Sequence, residues 1–443
     1  MLSLAARSVI RNRSTSIATG VVAITGVALV SAMMALFNTG LSATVPSEFL
    51  TTFPLIVGGW IVAIVVFAMA STVSVTLQGR AQEFTGIRLI GAEPRQIRGL
   101  IVAEATMVSL AAAIPGLGLG YALAAILYAT MRGGGAISAD TLYSPGFLLP
   151  IAGVALVLVA TLVAGFLSSR RPASGSVLGD EPRPRNVMRA KRLGRLITAG
   201  VIIVAGLASS LSTLAFTADD VLTTAMTGPG CVLLAVGVCL LAPELTVVTT
   251  SILRGATGVR TAPAWLAARN LHATPQRVRP LITFLTLFVG IAAGTLGMQG
   301  IEDSTEARAA DGELIASINY LVVGLLATFM AVALVNNLIA AILRRRPEFV
   351  VMRLVGATPR QTGTMLLSET VAAAVVSIVA GSAGAIVSTL PYVWVKTGSL
   401  TAAFTPWLYL AVAATGMVLV LIVTLASLRR TVPGLGRRST AHA

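Results

Sequence analysis

The sequence predicts an all-α polytopic membrane protein of about ten transmembrane helices, and three observations lead there. Of 443 residues, 56% are hydrophobic and only 11% charged, against the roughly 25% charge that solvates the surface of a soluble domain. Mean hydropathy is +0.88. Apolar runs of about 20 residues, the length that crosses the hydrocarbon core as a helix, recur along the whole chain, and Lys and Arg gather between alternate runs. A soluble enzyme is therefore excluded, and so is a disordered chain, which lacks apolar residues to bury.

The runs fall at roughly 16–37, 54–77, 100–130, 147–168, 196–216, 230–251, 281–299, 315–343, 364–392 and 406–428. Arg7, Arg11 and Arg13 precede the first, in the manner of a signal peptide. Its apolar stretch exceeds the roughly 7 to 15 residues of a signal core, so it reads as an uncleaved anchor. With the N-terminus inside, the cytoplasmic segments hold 29 Lys and Arg and the outer loops only Arg132, Arg308 and Lys396. A missed or extra helix swaps every later loop and destroys this asymmetry, so the charge count also tests the span count.

Nine acids fall outside, Glu302 among them, five fall in cytoplasmic loops, and Glu104, Glu244 and Glu369 fall within apolar runs. The formal net charge of +15 thus resolves into a strongly basic inner face and a mildly acidic outer one. That pattern fits a multi-pass protein of the plasma or inner membrane, with both termini cytoplasmic and in contact with anionic lipid. It removes the nucleic-acid reading of the basic excess.

Few residues are available for chemistry. Cys231 and Cys239 share one apolar run and read as small core hydrophobes. His272 and His442 are far apart with no Cys or carboxylate cluster, which gives a metal site no support. Lys191 and Lys396 are the only lysines, and neither sits in a GxxxxGK[ST] loop, so the chain has no such nucleotide site of its own. Gly116, Gly118 and Gly120 lie inside a span and read as close helix packing, with Pro115 as a kink. Trp265 and Trp407 read as interface anchors.

An internal repeat organises the rest. Residues 80–104, RAQEFTGIRLIGAEPRQIRGLIVAE, recur at 345–369 as RRPEFVVMRLVGATPRQTGTMLLSE, at a constant offset of 265. Leu4-Ala5-Ala6-Arg7 similarly recurs as Leu266-Ala267-Ala268-Arg269. The expected organisation is a four-helix unit over 1–170, a basic linker over 171–195, a two-helix insert over 196–261 and a second four-helix unit over 262–443. Even numbers of spans keep the two units parallel, as a pseudo-dimer about an axis along the membrane normal.

The pattern Glu-Phe-x-x-x-Arg-Leu-x-Gly-Ala-x-Pro-Arg-Gln, between the second and third spans of a four-span unit, resembles the FtsX-like permease domain of MacB-like ABC systems. The tandem ten-span arrangement is similar to BceB-type permeases of peptide-antibiotic resistance. Those relatives carry a large extracytoplasmic domain where this chain has loops of only about 16 and 15 residues. The resemblance implies a permease subunit with no catalysis of its own, working with a separate ABC ATPase, in two copies, that binds the ATP and Mg. It further implies export or extraction of a hydrophobic or amphiphilic compound, such as a lipid-like or peptide antibiotic. The alternatives are a non-transporting mechanotransmitter and a proton-coupled secondary transporter.

The resemblance assigns ATPase coupling to Glu83, Arg88, Leu89, Gly91, Ala92, Pro94 and Arg95, and to their counterparts Glu348, Arg353, Leu354, Gly356, Ala357, Pro359 and Arg360. The second and eighth spans are expected to continue as stalks, turn at the Gly-Ala-x-Pro sequences, and lead into a short helix across the cytoplasmic face. Arg88 and Arg353 suit acidic or carbonyl contacts in an ATPase groove, or else lipid phosphates. Glu83 and Glu348 are placed to reach Arg80 and Arg345, three residues earlier. Glu104 and Glu369, near the cytoplasmic boundary, are candidates for pairing with a stalk arginine or for handling protons or substrate. Glu244 is open between interhelical pairing and contact with a substrate cation.

Overall fold

The computed structural model describes residues 2–11, 13–43, 48–135, 137–138, 140–174, 185–218, 221–257, 262–306, 312–403 and 406–431. Asp219, Asp220, Arg308, Asp311, His442 and the middle of the basic linker lie outside these residues. No strand occurs among the described residues. The helices are α1 (Leu2–Arg11), α2 (Arg13–Leu41), α3 (Glu48–Gly79), α4 (Ala81–Leu89), α5 (Pro94–Gly133), α6 (Leu148–Ser174), α7 (Arg185–Ser212) and α8 (Val221–Leu240). They continue as α9 (Ala242–Thr257), α10 (Ala262–Ala273), α11 (Arg279–Glu306), α12 (Gly312–Leu343), α13 (Arg346–Leu354), α14 (Pro359–Thr397) and α15 (Pro406–Thr431). Among the described residues ten helices are long and apolar enough to cross a membrane: α2, α3, α5, α6, α7, α8, α11, α12, α14 and α15. The chain is an all-α integral membrane protein.

One span sits elsewhere than the sequence suggests. The sixth, expected at 230–251, crosses as Thr223–Leu240. The helix stops at Leu241 because Pro243 offers no N–H and its ring collides with the preceding turn. Leu241 then accepts from Glu244 and Leu245 N–H at 2.9 and 3.0 Å, which opens α9.

Small residues set the helix pairings. α5 crosses α2 where Gly116 and Gly120 lie against Val27 and Ser31, and a Cβ on Gly120 would sit 2.1 Å from Ser31 Oγ. In the second unit Gly381, 265 residues after Gly116, presses α14 onto α11, its would-be Cβ 2.8 Å from the Thr286 carbonyl. In membranes, where burial gives no hydrophobic advantage over lipid, such close backbone approach supplies the packing. Gly118 points into open space, so it contributes nothing to this contact, and α5 runs on as one helix through Pro115.

The insert, α7 and α8, is fastened to the second unit at several depths. Thr224 donates to Glu302 at 2.9 Å, the Ser210 hydroxyl donates to the Ser388 carbonyl, Cys231 Sγ lies 3.1 Å from Ser388 Oγ, and Cys239 donates to the Thr283 carbonyl at 3.1 Å. Both cysteines are free, buried thiols. Against the first unit the insert makes a different contact: Gly228 of α8 receives the Trp60 ring of α3, so closely that a Cβ there would lie 1.9 Å from the indole. Elsewhere the two units meet through α12, which packs on α2 and α3. There Asn337 donates to Thr72 at 3.2 Å. The two residues are separated by the repeat offset itself, so equivalent positions of the two copies touch here. The ion pairs Arg80–Glu104, Arg195–Glu244, Arg345–Glu369 and Lys396–Glu302 each stay within one of the stretches 2–174, 185–257 and 262–431.

Candidate coupling elbows

Each repeated motif folds as an elbow. The stalk is not continuous: α3 ends at Gly79 and α12 at Leu343, a turn follows at Arg80 or Arg345, and the short helix comes next, before the Gly-Ala turn and not after it. In the second copy Pro347 enforces the break, since it cannot donate to the preceding turn. In the first, Gly79 gives the helix little reason to continue.

The short helices α4 and α13 end in the same cap. Gly91 and Gly356 both adopt φ +96°, the left-handed region that a side chain disfavours. Ala92 N–H donates to the Ile87 carbonyl at 3.2 Å and Gly91 N–H to Arg88 at 3.0 Å; Ala357 and Gly356 repeat this onto Met352 and Arg353 at 2.9 and 3.0 Å. This is a Schellman closure. Pro94 and Pro359 then open α5 and α14 at the first turn. Gln96 and Gln361 fold back to accept the N–H of Glu93 and Thr358, at 3.0 and 2.8 Å. Gly, Ala, Pro and Gln of the motif are thus conformational residues that hold the chain reversal.

The arginine at each break is drawn inward. Arg80 Nη1 donates to both carboxylate oxygens of Glu104 at 2.6 and 2.7 Å, its Nε to Glu83 at 2.9 Å and its Nη2 to Ser8 of α1 at 2.7 Å. Its guanidinium also lies 5.3 Å from the centroid of the buried Phe84 ring. Burial alone lowers the affinity of Arg80 for its proton, but hydrogen bonds to Glu104 and Glu83 outweigh it, and the group is held above its usual range. Arg345 repeats the arrangement: Glu369 at 2.5 and 3.3 Å, Glu348 at 3.4 Å, and Phe349 at 5.4 Å. Glu348 has a second partner, Arg277, at 2.7 Å. Glu104 and Glu369 therefore each hold an elbow arginine against the third helix of their unit.

These elbows lie inside two segments, 55–177 and 320–432, that match the family model for the FtsX-like permease C-terminal domain, together more than half of the chain. The chain belongs to the FtsX-like permease family. No curated protein matches it. FtsX-like permeases are membrane components of ABC transporters, generally without catalysis of their own, and typically work with an ABC ATPase.

Outward from the arginine pairs the permease presents the rest of each motif. Leu89 and Leu354 stand exposed at the tips, Arg353, Arg95 and Arg360 are exposed, and Arg88 is half-buried. Glu244 belongs to neither elbow. It opens α9 and pairs with Arg195 of α7 at 2.6 Å and Arg192 at 3.4 Å, while its Oε2 is buried with no partner among the described residues.

At the opposite end of the permease lies a cluster that sequence reasoning placed in loops. Glu302 and Lys396 are in helices, α11 and α14, and form a buried pair at 2.9 Å; Tyr392 donates to Glu302 as well. The charges can leave water because they neutralise each other and Thr224 and Tyr392 complete the carboxylate's hydrogen bonds. Lys396, one of two lysines in the chain and on the last turn of an apolar run, was the available signal. Ser8 and Arg277, the side partners of the elbows, left none, since they lie outside the repeated motif.

Proposed function

We propose that this permease is the membrane subunit of an ABC system at the plasma or inner membrane, with elbows and termini cytoplasmic. In this reading it couples ATP hydrolysis by two copies of a separate ATPase, which bind the ATP and Mg, to export or extraction of a hydrophobic or amphiphilic compound from the lipid. The observation that supports coupling most directly is the elbow itself. In both copies an exposed apolar tip is carried on a nine-residue helix, closed by a glycine turn and fixed at its base by a buried arginine–glutamate pair. A rigid lever with an apolar tip suits an ATPase groove. Because α5 and α14 continue each elbow without interruption for 40 and 39 residues, a push at the tip tilts a whole third span. Anionic lipid suits the many arginines of the same face.

The test is co-purification. Full-length permease extracted from its own membranes should retain an ABC ATPase, and the double reversal Arg88→Glu with Arg353→Glu should release it. Undiminished ATPase recovery with both reversals present removes the coupling role. Reporter fusions at Gly135, Thr217, Gly300 and Gly398 should all read as extracytoplasmic, and a cytoplasmic signal at any of them breaks the orientation.

A further inference from the structure

The two elbows share a backbone but not a surface. At the first tip two large apolar side chains are exposed, Leu89 at 68% and Ile90 at 86%. At the second there are four: Val350 at 47%, Val351 at 58%, Leu354 at 82% and Val355 at 83%. The difference arises at two positions, where the repeat sets Thr85 and Gly86 against Val350 and Val351. On α13 these residues fall at i, i+1, i+4 and i+5, a continuous apolar stripe.

That stripe is set among arginines, which are costly to carry into hydrocarbon. Arg345 meets Glu369, ten residues into α14, so about 15 Å of α14 lies beyond that pair on the elbow side. α13 touches α14 and is flanked by Arg344, Arg345, Arg346 and Arg353. A contiguous apolar surface exposed to water marks a contact with another protein.

The glutamate of the second short helix is also the better held, whereas at the first elbow it is the arginine that gains a partner, Ser8. Glu348 is held from two sides, by Arg345 and by Arg277, whereas for Glu83 the described ion pair is with Arg80 alone. The Glu83 side chain is 43% exposed against 23% for Glu348. A surface fixed before association loses less freedom on binding.

We propose that the two halves dock their ATPases unequally. The α13 elbow is the principal anchor, seating its valine–leucine stripe in an apolar groove of one ATPase copy, while the α4 elbow makes the weaker, more labile contact with the other. This rests on the coupling reading above and extends it to an order of engagement: the second half holds its ATPase when the first has let go.

The experiment uses full-length permease in nanodiscs and the ATPase recovered by co-purification, with binding measured by titration. Replacing Val350, Val351, Leu354 and Val355 together with Asp should weaken binding about tenfold more than Leu89→Asp/Ile90→Asp, because it removes two additional half-exposed valines from the contact. Thr85→Val/Gly86→Val, which removes nothing, should narrow that gap by tightening the first site. Equal losses from the two aspartate variants, or a larger loss at the first elbow, overturn the asymmetry and leave coupling standing. No loss from either variant overturns coupling, and the asymmetry with it. All variants except that at the half-buried Thr85 lie on exposed positions, and unchanged size-exclusion profiles separate loss of docking from loss of fold.

Discussion

Replacing Arg345 with Met leaves the Glu369 carboxylate, 1% exposed, without its principal counter-charge. Two hydrogen bonds to that carboxylate, at 2.5 and 3.3 Å, are lost together with the one to Glu348. Removing one member of a buried pair typically costs about 3–5 kcal/mol, most of it the expense of a stranded charge. Replacing both, as Arg345→Met with Glu369→Leu, removes that charge and is expected to cost far less, within about 1 kcal/mol of the native protein. Glu348 keeps Arg277 in either case. The assay is a double-mutant cycle on unfolding of the purified permease in mixed micelles, following helicity against denaturing detergent. A coupling energy of about 2–4 kcal/mol between the two sites is the expected result. If Arg345→Met is no more destabilising than the double replacement, the pair does not hold the elbow against α14, and the lever loses its fixed base.

Three further outcomes follow from the packing. Gly120→Val should destabilise the first unit by about 1–3 kcal/mol through overpacking against Ser31, whereas Gly118→Val, facing open space, should stay within about 0.5 kcal/mol; the same unfolding assay compares them, and equal effects would show that α5 does not meet α2 through Gly120. Gly228→Ala should destabilise or displace α8 through collision with the Trp60 ring, and Trp60→Ala should relieve much of that cost, so a strongly non-additive cycle is expected and an additive one argues against the contact. Lys396→Met should be more disruptive than Lys396→Met with Glu302→Gln, by about 2 kcal/mol or more, read as loss of α8 protection in hydrogen exchange, because Glu302 also holds Thr224 of the insert.

Much of the elbow was legible before any coordinates, and for identifiable reasons. Gly91, Gly356, Pro94 and Pro359 restrict their own backbones, so their spacing announces a turn wherever the chain goes. Arg80 and Arg345 are more instructive. Their three-residue spacing to Glu83 and Glu348 can be read from helix geometry, but that same regularity suggested an unbroken stalk. The break has local causes, Pro347 in the second copy and Gly79 in the first, but where each guanidinium goes is set by a carboxylate 24 residues away. Glu302 and Lys396 escaped for a related reason: each is unfavourable in lipid alone, so counting placed both in loops, and only mutual neutralisation across α11 and α14 lets them stay inside.

The sequence alone determined the membrane class, the number of spans, the repeat and its offset, because these depend on local hydropathy and on residues that constrain their own φ and ψ. It also contained the difference between Thr85-Gly86 and Val350-Val351, though not its meaning. Only the tertiary structure decided which charges are buried and with whom, that the insert fastens to the second unit and merely abuts the first at Trp60, and which faces of the short helices remain uncovered. Those outcomes rest on contacts between residues tens to hundreds of positions apart, and burial and charge neutralisation belong to pairs of surfaces, which no single stretch of chain specifies.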